Sequence, residues 1–324
     1  MLQKSTLTTL IKLALAGGIL VYLIRVVDFR LIVDTARQAD PFWIAAAVLL
    51  LPVNLFIEGT LWHRITRLTP LRAPLRTAFG ALLSGYAVGF FTPGRIGELA
   101  GRSFYYGSNN KWELSMLVMY QRMIDMLVGV TVGMFAMLAF MYLARPEPLS
   151  MWWIFVAIGL ASILLLGFVL LMPRPAYRVL DRWIKRPKVL EPVEFLQRVE
   201  NRHVGPYVAL STTRYLVFVS QFVFLMFAFS GAAPVAQVYT GASMTFYAKY
   251  LIPSITLMDL GIREGSAVFF MGQAGFPEAA AFNASLMMFF INLVVPSTAG
   301  APFVFRLKLR QETVEERDTA TTGA

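Results

Sequence analysis

Arg95, Glu98 and Arg102 stand in a stretch that breaks strongly apolar sequence, Phe90-Phe91-Thr92-Pro93-Gly94-Arg95-Ile96-Gly97-Glu98. An arginine offers a planar fork of donors that matches phosphate oxygens two at a time. Gly94 and Gly97 let the backbone turn sharply and approach a ligand closely. A helix that starts near Gly97 would aim N–H groups at an anion. The chemistry these residues could do is recognition of a lipid phosphate. The plainer alternative is that Arg95 and Glu98 pair and neutralise the break. A second stretch, Leu251 to Gly265, repeats the pattern with Pro253, Asp259, Gly261, Arg263, Glu264 and Gly265. Lys249 adds a cation upstream, and the same two readings apply. Charge and non-helical backbone survive at membrane depth only where protein or a water-filled cavity covers them. Two such breaks in corresponding positions point to a transporter's substrate site.

Other polar groups fall inside apolar runs. Gln121, Arg122 and Asp125 lie close together, and Arg122 and Asp125 share a helix face. They could clamp their helix to the first break or touch substrate. Glu58 and Arg214 each need a partner, and Arg214 could instead reach for the cytoplasmic interface. His63 and His203 read as interfacial. Cysteine is absent, which excludes disulfides and thiolate metal sites. No nucleotide, zinc or serine-nucleophile motif is present, so no cofactor or metal is expected. The many Met and Phe residues, such as Met116, Met119, Met287, Met288, Phe289 and Phe290, could line an acyl-chain path or simply face lipid and pack helices.

The elements that must position these groups follow from hydropathy. The chain has 324 residues, 57% of them hydrophobic and 15% charged. A soluble protein carries about 25% charged residues. Mean hydropathy is +0.62. The apolar runs are continuous, which excludes an outer-membrane barrel with its two-residue alternation. The reading is an all-α polytopic membrane protein, one integral-membrane domain over 1–305 with a polar cytoplasmic tail over 306–324. Full spans are expected near 7–27, 42–62, 114–143, 151–172, 207–230 and 277–305. Residues 28–40 read as a short polar loop. Pro52, Asn54 and Glu58 in the second span should face protein. The broken elements, near 77–106 and 241–275, have arms too short to cross alone and read as re-entrant hairpins. A basic loop over 173–206 carries Tyr177, Leu180, Trp183 and Ile184 at helical spacing between Arg178, Arg182, Lys185 and Arg186, the pattern of an interfacial helix.

Charge fixes the orientation. The net charge is +10. With both termini in the cytoplasm, six full spans and two hairpins, the Arg64–Arg76, Arg174–Arg202 and Arg306–Arg310 clusters all fall inside. Only Arg30, Arg37 and Arg145 fall outside. If the breaks were full spans, the Arg174–Arg202 loop would lie outside. The first hairpin then enters from the cytoplasm and the second from outside, an inverted-repeat arrangement. The basic excess suits anionic lipid head groups at the cytoplasmic face, not nucleic acid. A homo-oligomer is left open.

The set Pro93-Gly94-Arg95-x-Gly97-Glu98, Gln121-Arg122-x-x-Asp125 and Leu260-Gly261-Ile262-Arg263-Glu264-Gly265 resembles the lysylphosphatidylglycerol synthetase transmembrane-region family. The resemblance spans roughly residues 42–305. It looks like a stand-alone relative of the flippase-like half of enzymes that make and translocate aminoacyl-phosphatidylglycerol. Family members usually carry Glu-Arg where this chain has Gln121-Arg122, and a more glycine-rich second motif. The acyltransferase-like domain that charges the lipid is not in this sequence, so synthetase activity does not carry over. The resemblance implies a flippase or lipid transporter of the bacterial inner membrane that moves a phospholipid or lipid-linked head group, and not an enzyme. Substrate contacts are expected from Arg95, Glu98, Arg102, Arg122, Asp125, Lys249, Asp259, Arg263 and Glu264. The alternatives are a lipid-modifying transferase using Glu98 or Asp259 as base, and a scaffold that transports nothing.

Overall fold

The computed structural model describes residues 29–71, 73–107, 111–144, 150–184, 190–231, 233–252 and 261–304. All regular structure among them is helical. In chain order the helices are α1 (Phe29–Arg37), α2 (Pro41–Thr66), α3 (Leu75–Phe90), α4 (Gly97–Tyr105), α5 (Lys111–Ala144), α6 (Ser150–Leu171), α7 (Pro173–Trp183), α8 (Asn201–Ser230), α9 (Val235–Leu251), α10 (Ile262–Gln273) and α11, which runs from Glu278 to Val304. Five of them are long and apolar enough to cross a membrane: α2, α5, α6, α8 and α11. They match the second to sixth expected spans. The expected first span, the tail over 306–324, Lys185, Arg186 and Asp259 lie outside the described residues.

Each long helix starts and stops for a local reason. Asp40 caps α2 by accepting the Phe42 N–H at 2.8 Å, and Pro41 sits where a missing N–H costs nothing. Gly231, at φ 78°, ends α8. In α11 the turn Phe290–Val294 is a π-helix.

The two broken elements fold as antiparallel helix hairpins. α3 has 16 residues and α4 has 9. At ~1.5 Å per residue neither crosses the ~30 Å hydrocarbon layer. Small residues let them meet backbone to backbone: Gly101 lies against Ser84 and Gly85, and Gly89 against Glu98. A Cβ on Gly101 would sit 2.7 Å from the Ser84 carbonyl oxygen. α9 and α10 pair likewise, with Gly241 facing Met271 and Ala274.

The hairpins open at opposite ends of the bundle. Arg198 donates to the Leu68 carbonyl and to Glu113, which gathers the end of α2, the start of α5 and the turn Glu191–Arg198 at one end. Trp62 and Tyr106 meet there edge to face, so the first hairpin opens at this end. At the other end the Asp40 N–H bonds the Ala228 carbonyl, and Asn283 bonds the Ile32 carbonyl. Val235 and Gln273, the open ends of the second hairpin, lie next in the chain to Ser230 and Glu278 at that end.

Four expectations need correction. Residues 29–37 form α1 where a loop is expected. Ile32 packs on Val268, Ala279 and Phe282, and that contact supplies the tertiary support a nine-residue helix needs. Pro52 faces outward while Asn54 and Glu58 are buried. Two residues turn a helix by about 200°, so 52 cannot share the face of 54 and 58. The hairpins begin at Leu75 and Val235, earlier than 77 and 241, because Pro74 and Pro234 fix their starts. α8 begins at Asn201, six residues before the expected 207. Polar residues do not stop a helix that extends beyond the hydrocarbon, and His203 accepts the Glu200 N–H to close its first turn.

The main core joins α2, α5, α8, α9, α10 and α11 through Leu51, Val128, Phe222, Met226, Phe246, Met271, Ala284 and Met288. The Met and Phe set divides: Met288 and Phe289 are internal, whereas Met119 and Phe290 face outward.

Candidate functional site

The tip of the first hairpin is built by Thr92 and a pair of left-handed residues. The Thr92 hydroxyl accepts the Gly97 N–H at 2.8 Å and starts α4. Gly94 has φ 60° and Arg95 has φ 56°. Arg95 is the one non-glycine with positive φ among the described residues, a conformation that costs about 1–3 kcal/mol and clusters at functional sites. Arg122 on α5 holds this tip by donating to the Arg95 carbonyl at 3.0 Å.

From the tip an alternating chain of charges runs into the bundle. Glu98 accepts from three arginines: Arg95 at 3.1 Å, Arg122 at 2.8 Å, and Arg102. Arg102 continues to Glu58 on α2 at 2.6 Å and to Gln121 at 3.1 Å. Glu58 also accepts from Tyr86 at 2.7 Å and from Arg214 on α8 at 3.0 Å. Arg214 ends the chain on Asp125 at 2.7 Å, and Ser211 donates to the other Asp125 oxygen at 2.6 Å. The remaining Arg214 donor goes to Asn54, which is tied to Asn292 in the π-turn. Two rings sit under the cations: Arg95 lies 4.7 Å from the Tyr86 centroid and Arg102 5.3 Å from that of Trp62.

Four guanidinium groups, Arg95, Arg102, Arg122 and Arg214, meet three carboxylates, Glu58, Glu98 and Asp125, which leaves one positive charge over. The cations are not equally placed. Arg102 is 1% exposed, whereas Arg95 is 27% and Arg122 33% exposed. Burying an ion costs several kcal/mol unless it is paired and hydrogen-bonded, so Arg102 is the internal strut. Arg95 and Arg122 form the accessible face, and the buried Arg95 Nε has no hydrogen-bond partner among the described residues.

The second hairpin carries a smaller arrangement. Glu264 accepts the Gly261 N–H at 2.7 Å and the Arg263 guanidinium at 2.6 Å. Ser285 on α11 accepts from Arg263 at 3.0 Å and donates to Glu264 at 3.2 Å. Arg263 lies 5.7 Å from the Phe289 centroid. Both charges are buried, and they balance. Phe289 shares a small apolar cluster with Tyr86 and Leu82, so the aromatic seats of Arg95 and Arg263 belong to one wall.

The structure thus joins five expected residues, Arg95, Glu98, Arg102, Arg122 and Asp125, in one network. It keeps Arg263 and Glu264 apart from it. Lys249 lies half-buried on α9. Glu58 and Arg214, whose partners the sequence leaves open, turn out to pair with each other, and Arg214 does not reach for the interface. Tyr86, Ser211, Asn292 and Ser285 carry no sequence signal beyond being polar in apolar helices. Asn54 and Glu58, four apart on one helix face, are legible as a pair that should face protein.

These features define a polytopic helical membrane protein whose charges meet inside the bundle around two helical hairpins. The chain belongs to the lysylphosphatidylglycerol synthase TM region family, whose model matches residues 9–300. No curated protein and no solved structure matches it.

Proposed function

We propose that this chain is a lipid flippase of the bacterial inner membrane that receives an anionic phosphate head group at Arg95 and Arg122. The observation that carries this reading is the accessible face of the network: two partly exposed guanidinium groups on a cluster with one positive charge in excess. An arginine fork binds a phosphate in two bonds at once, and a site of net charge +1 suits one phosphodiester. Glu98 orients both arginines, and Arg102, Glu58 and Arg214 hold Glu98 and α4 in place. The acyl chains stay in the bilayer while the hairpins give access to either leaflet in turn. Both termini lie in the cytoplasm, where the exposed Arg178 and Arg182 of α7 rest on anionic lipid. Lys249, half-buried on α9, belongs to the second hairpin's part of the path.

Reconstitution in liposomes with head-group-labelled phosphatidylglycerol tests the reading. Wild type is expected to move label between leaflets, and Arg95→Ala to stop it without unfolding the protein. Chemical change of the lipid would indicate a transferase. Neither movement nor change would indicate a scaffold.

A further inference from the structure

An arginine carries several N–H donors, and buried donors need acceptors. A carboxylate supplies acceptors and cancels charge at the same time. An amide supplies an acceptor and leaves the charge as it was. The network of the first hairpin uses both. Arg102 donates from one terminal nitrogen to Glu58 and Glu98, and from the other to Gln121 at 3.1 Å. Arg214 donates to Glu58 and Asp125, and its Nε donates to Asn54 at 3.2 Å. Gln121 is 2% exposed and Asn54 3% exposed. Each amide oxygen thus fills an internal acceptor position beside a guanidinium group. Glutamate and aspartate have the shapes of glutamine and asparagine, so a carboxylate at either place would fit and cancel the surplus positive charge of the network. With amides at both places the surplus stays. Arg102 and Arg214 each have two carboxylates, whereas Arg95 and Arg122 have only Glu98 among the described residues. The surplus therefore lies at the accessible face.

We infer that Gln121 and Asn54 set the head-group specificity of this protein. As neutral acceptors they keep the surplus charge at Arg95 and Arg122, so the site takes a singly anionic head group in preference to a zwitterionic one. This selectivity rests on the proposed head-group site and names what that site discriminates. A zwitterion carries its own cation beside the phosphate and gains less from a site of net positive charge. A fourth carboxylate in the network would remove the anion's advantage. Neither amide touches the lipid; both act through the arginines.

The test uses the whole protein in phosphatidylcholine liposomes with trace phosphatidylglycerol or phosphatidylcholine, each labelled on the same acyl chain. Wild type should move phosphatidylglycerol faster. Gln121→Glu should cut that preference about tenfold, the order expected of one unit charge in a protein interior. Asn54→Asp, at the far end of the network, should do the same, so the measurement survives a folding failure of either variant. Gln121→Met removes the acceptor without adding charge; it should lower the melting temperature and keep the preference. Equal rates for the two lipids in wild type would overturn the inference while leaving transport in place. So would an unchanged preference in both acidic variants, or an equal loss in Gln121→Met. Transport of neither lipid would sink the flippase reading by itself. The thermal shifts given by dioctanoyl phosphatidylglycerol and dioctanoyl phosphatidylcholine then decide the selectivity. A larger shift with phosphatidylglycerol in wild type, lost in the acidic variants, supports it, and equal shifts in wild type overturn it.

Discussion

The two hairpins carry nearly the same short motif, an arginine and a glutamate behind a glycine, yet their surroundings make them different. Glu264 has one arginine, one backbone N–H and one hydroxyl, and its charge is cancelled within the second hairpin and Ser285. Glu98 serves three arginines, and the chain of pairs reaches through four helices to Asp125. The same residue types make a closed pair in one place and an open, cation-rich face in the other. What decides is the supply of charges from neighbouring helices. α2, α5 and α8 bring Glu58, Arg122, Asp125 and Arg214 to the first hairpin, while α11 brings Ser285 to the second.

The sharpest way to break this contrast is to remove the shared acceptor. Glu98→Gln leaves Arg95, Arg102 and Arg122 without their common carboxylate. Loss of one partner from a buried pair costs about 3–5 kcal/mol, so thermal melts should fall steeply and transport should vanish. A stable, active Glu98→Gln protein would mean the network is not held together as described.

Next in size is the difference between deleting one charge and deleting both. Arg263→Ala should destabilise strongly, and Arg263→Ala with Glu264→Ala should recover much of the loss, since removing a whole buried pair is often tolerated. The equivalent double change at Arg95 and Glu98 should recover nothing, because Arg102 and Arg122 still need Glu98. Melting temperatures of these three variants and of Glu98→Ala decide the matter, and similar recovery in both hairpins would erase the contrast.

A smaller effect separates role from stability. Arg95 is partly exposed, so Arg95→Ala should shift the melt little while abolishing leaflet transfer. Arg95→Lys should restore only part of the rate, because lysine offers a point charge without the planar fork. Full activity of Arg95→Lys would argue against bidentate phosphate recognition.

The smallest effect concerns orientation. In this cysteine-free chain, Gln38→Cys should react with an impermeant maleimide from outside and Asp181→Cys only after the membrane is opened. Both side chains are exposed, and neither substitution should alter transport. Labelling of Asp181→Cys from outside would reverse the bundle.

Much of this architecture is legible in the chain. The long apolar runs give α2, α5, α6, α8 and α11, and the glycines, prolines and charges inside apolar sequence mark both hairpins. The polar residues of the site can be picked out because charge in such helices is costly. Their partners cannot. Glu58, Glu98, Asp125 and Arg214 lie on four helices far apart in sequence, and no local spacing reports which faces meet. For the same reason the two motifs look equivalent until their neighbours are known. α1 is missed because nine residues are too few to hold a helix alone, and this one docks through Ile32 on α10 and α11.

The π-turn in α11 gives the molecule a joint. Upstream of it, Ser285 and Phe289 touch the second hairpin's charges. Within and beyond it, Asn292 reaches Asn54, and Ser297 donates to the Tyr86 carbonyl of the first hairpin. The polar contacts to the two hairpins thus come from separate halves of one rod, with the irregular turn between them, while Phe289 packs against both hairpins. A wide turn of this kind is a register that can shift by one residue along a helix and rotate one half against the other. Such a rod joins the polar contacts of the two hairpins through the one turn where its winding is irregular.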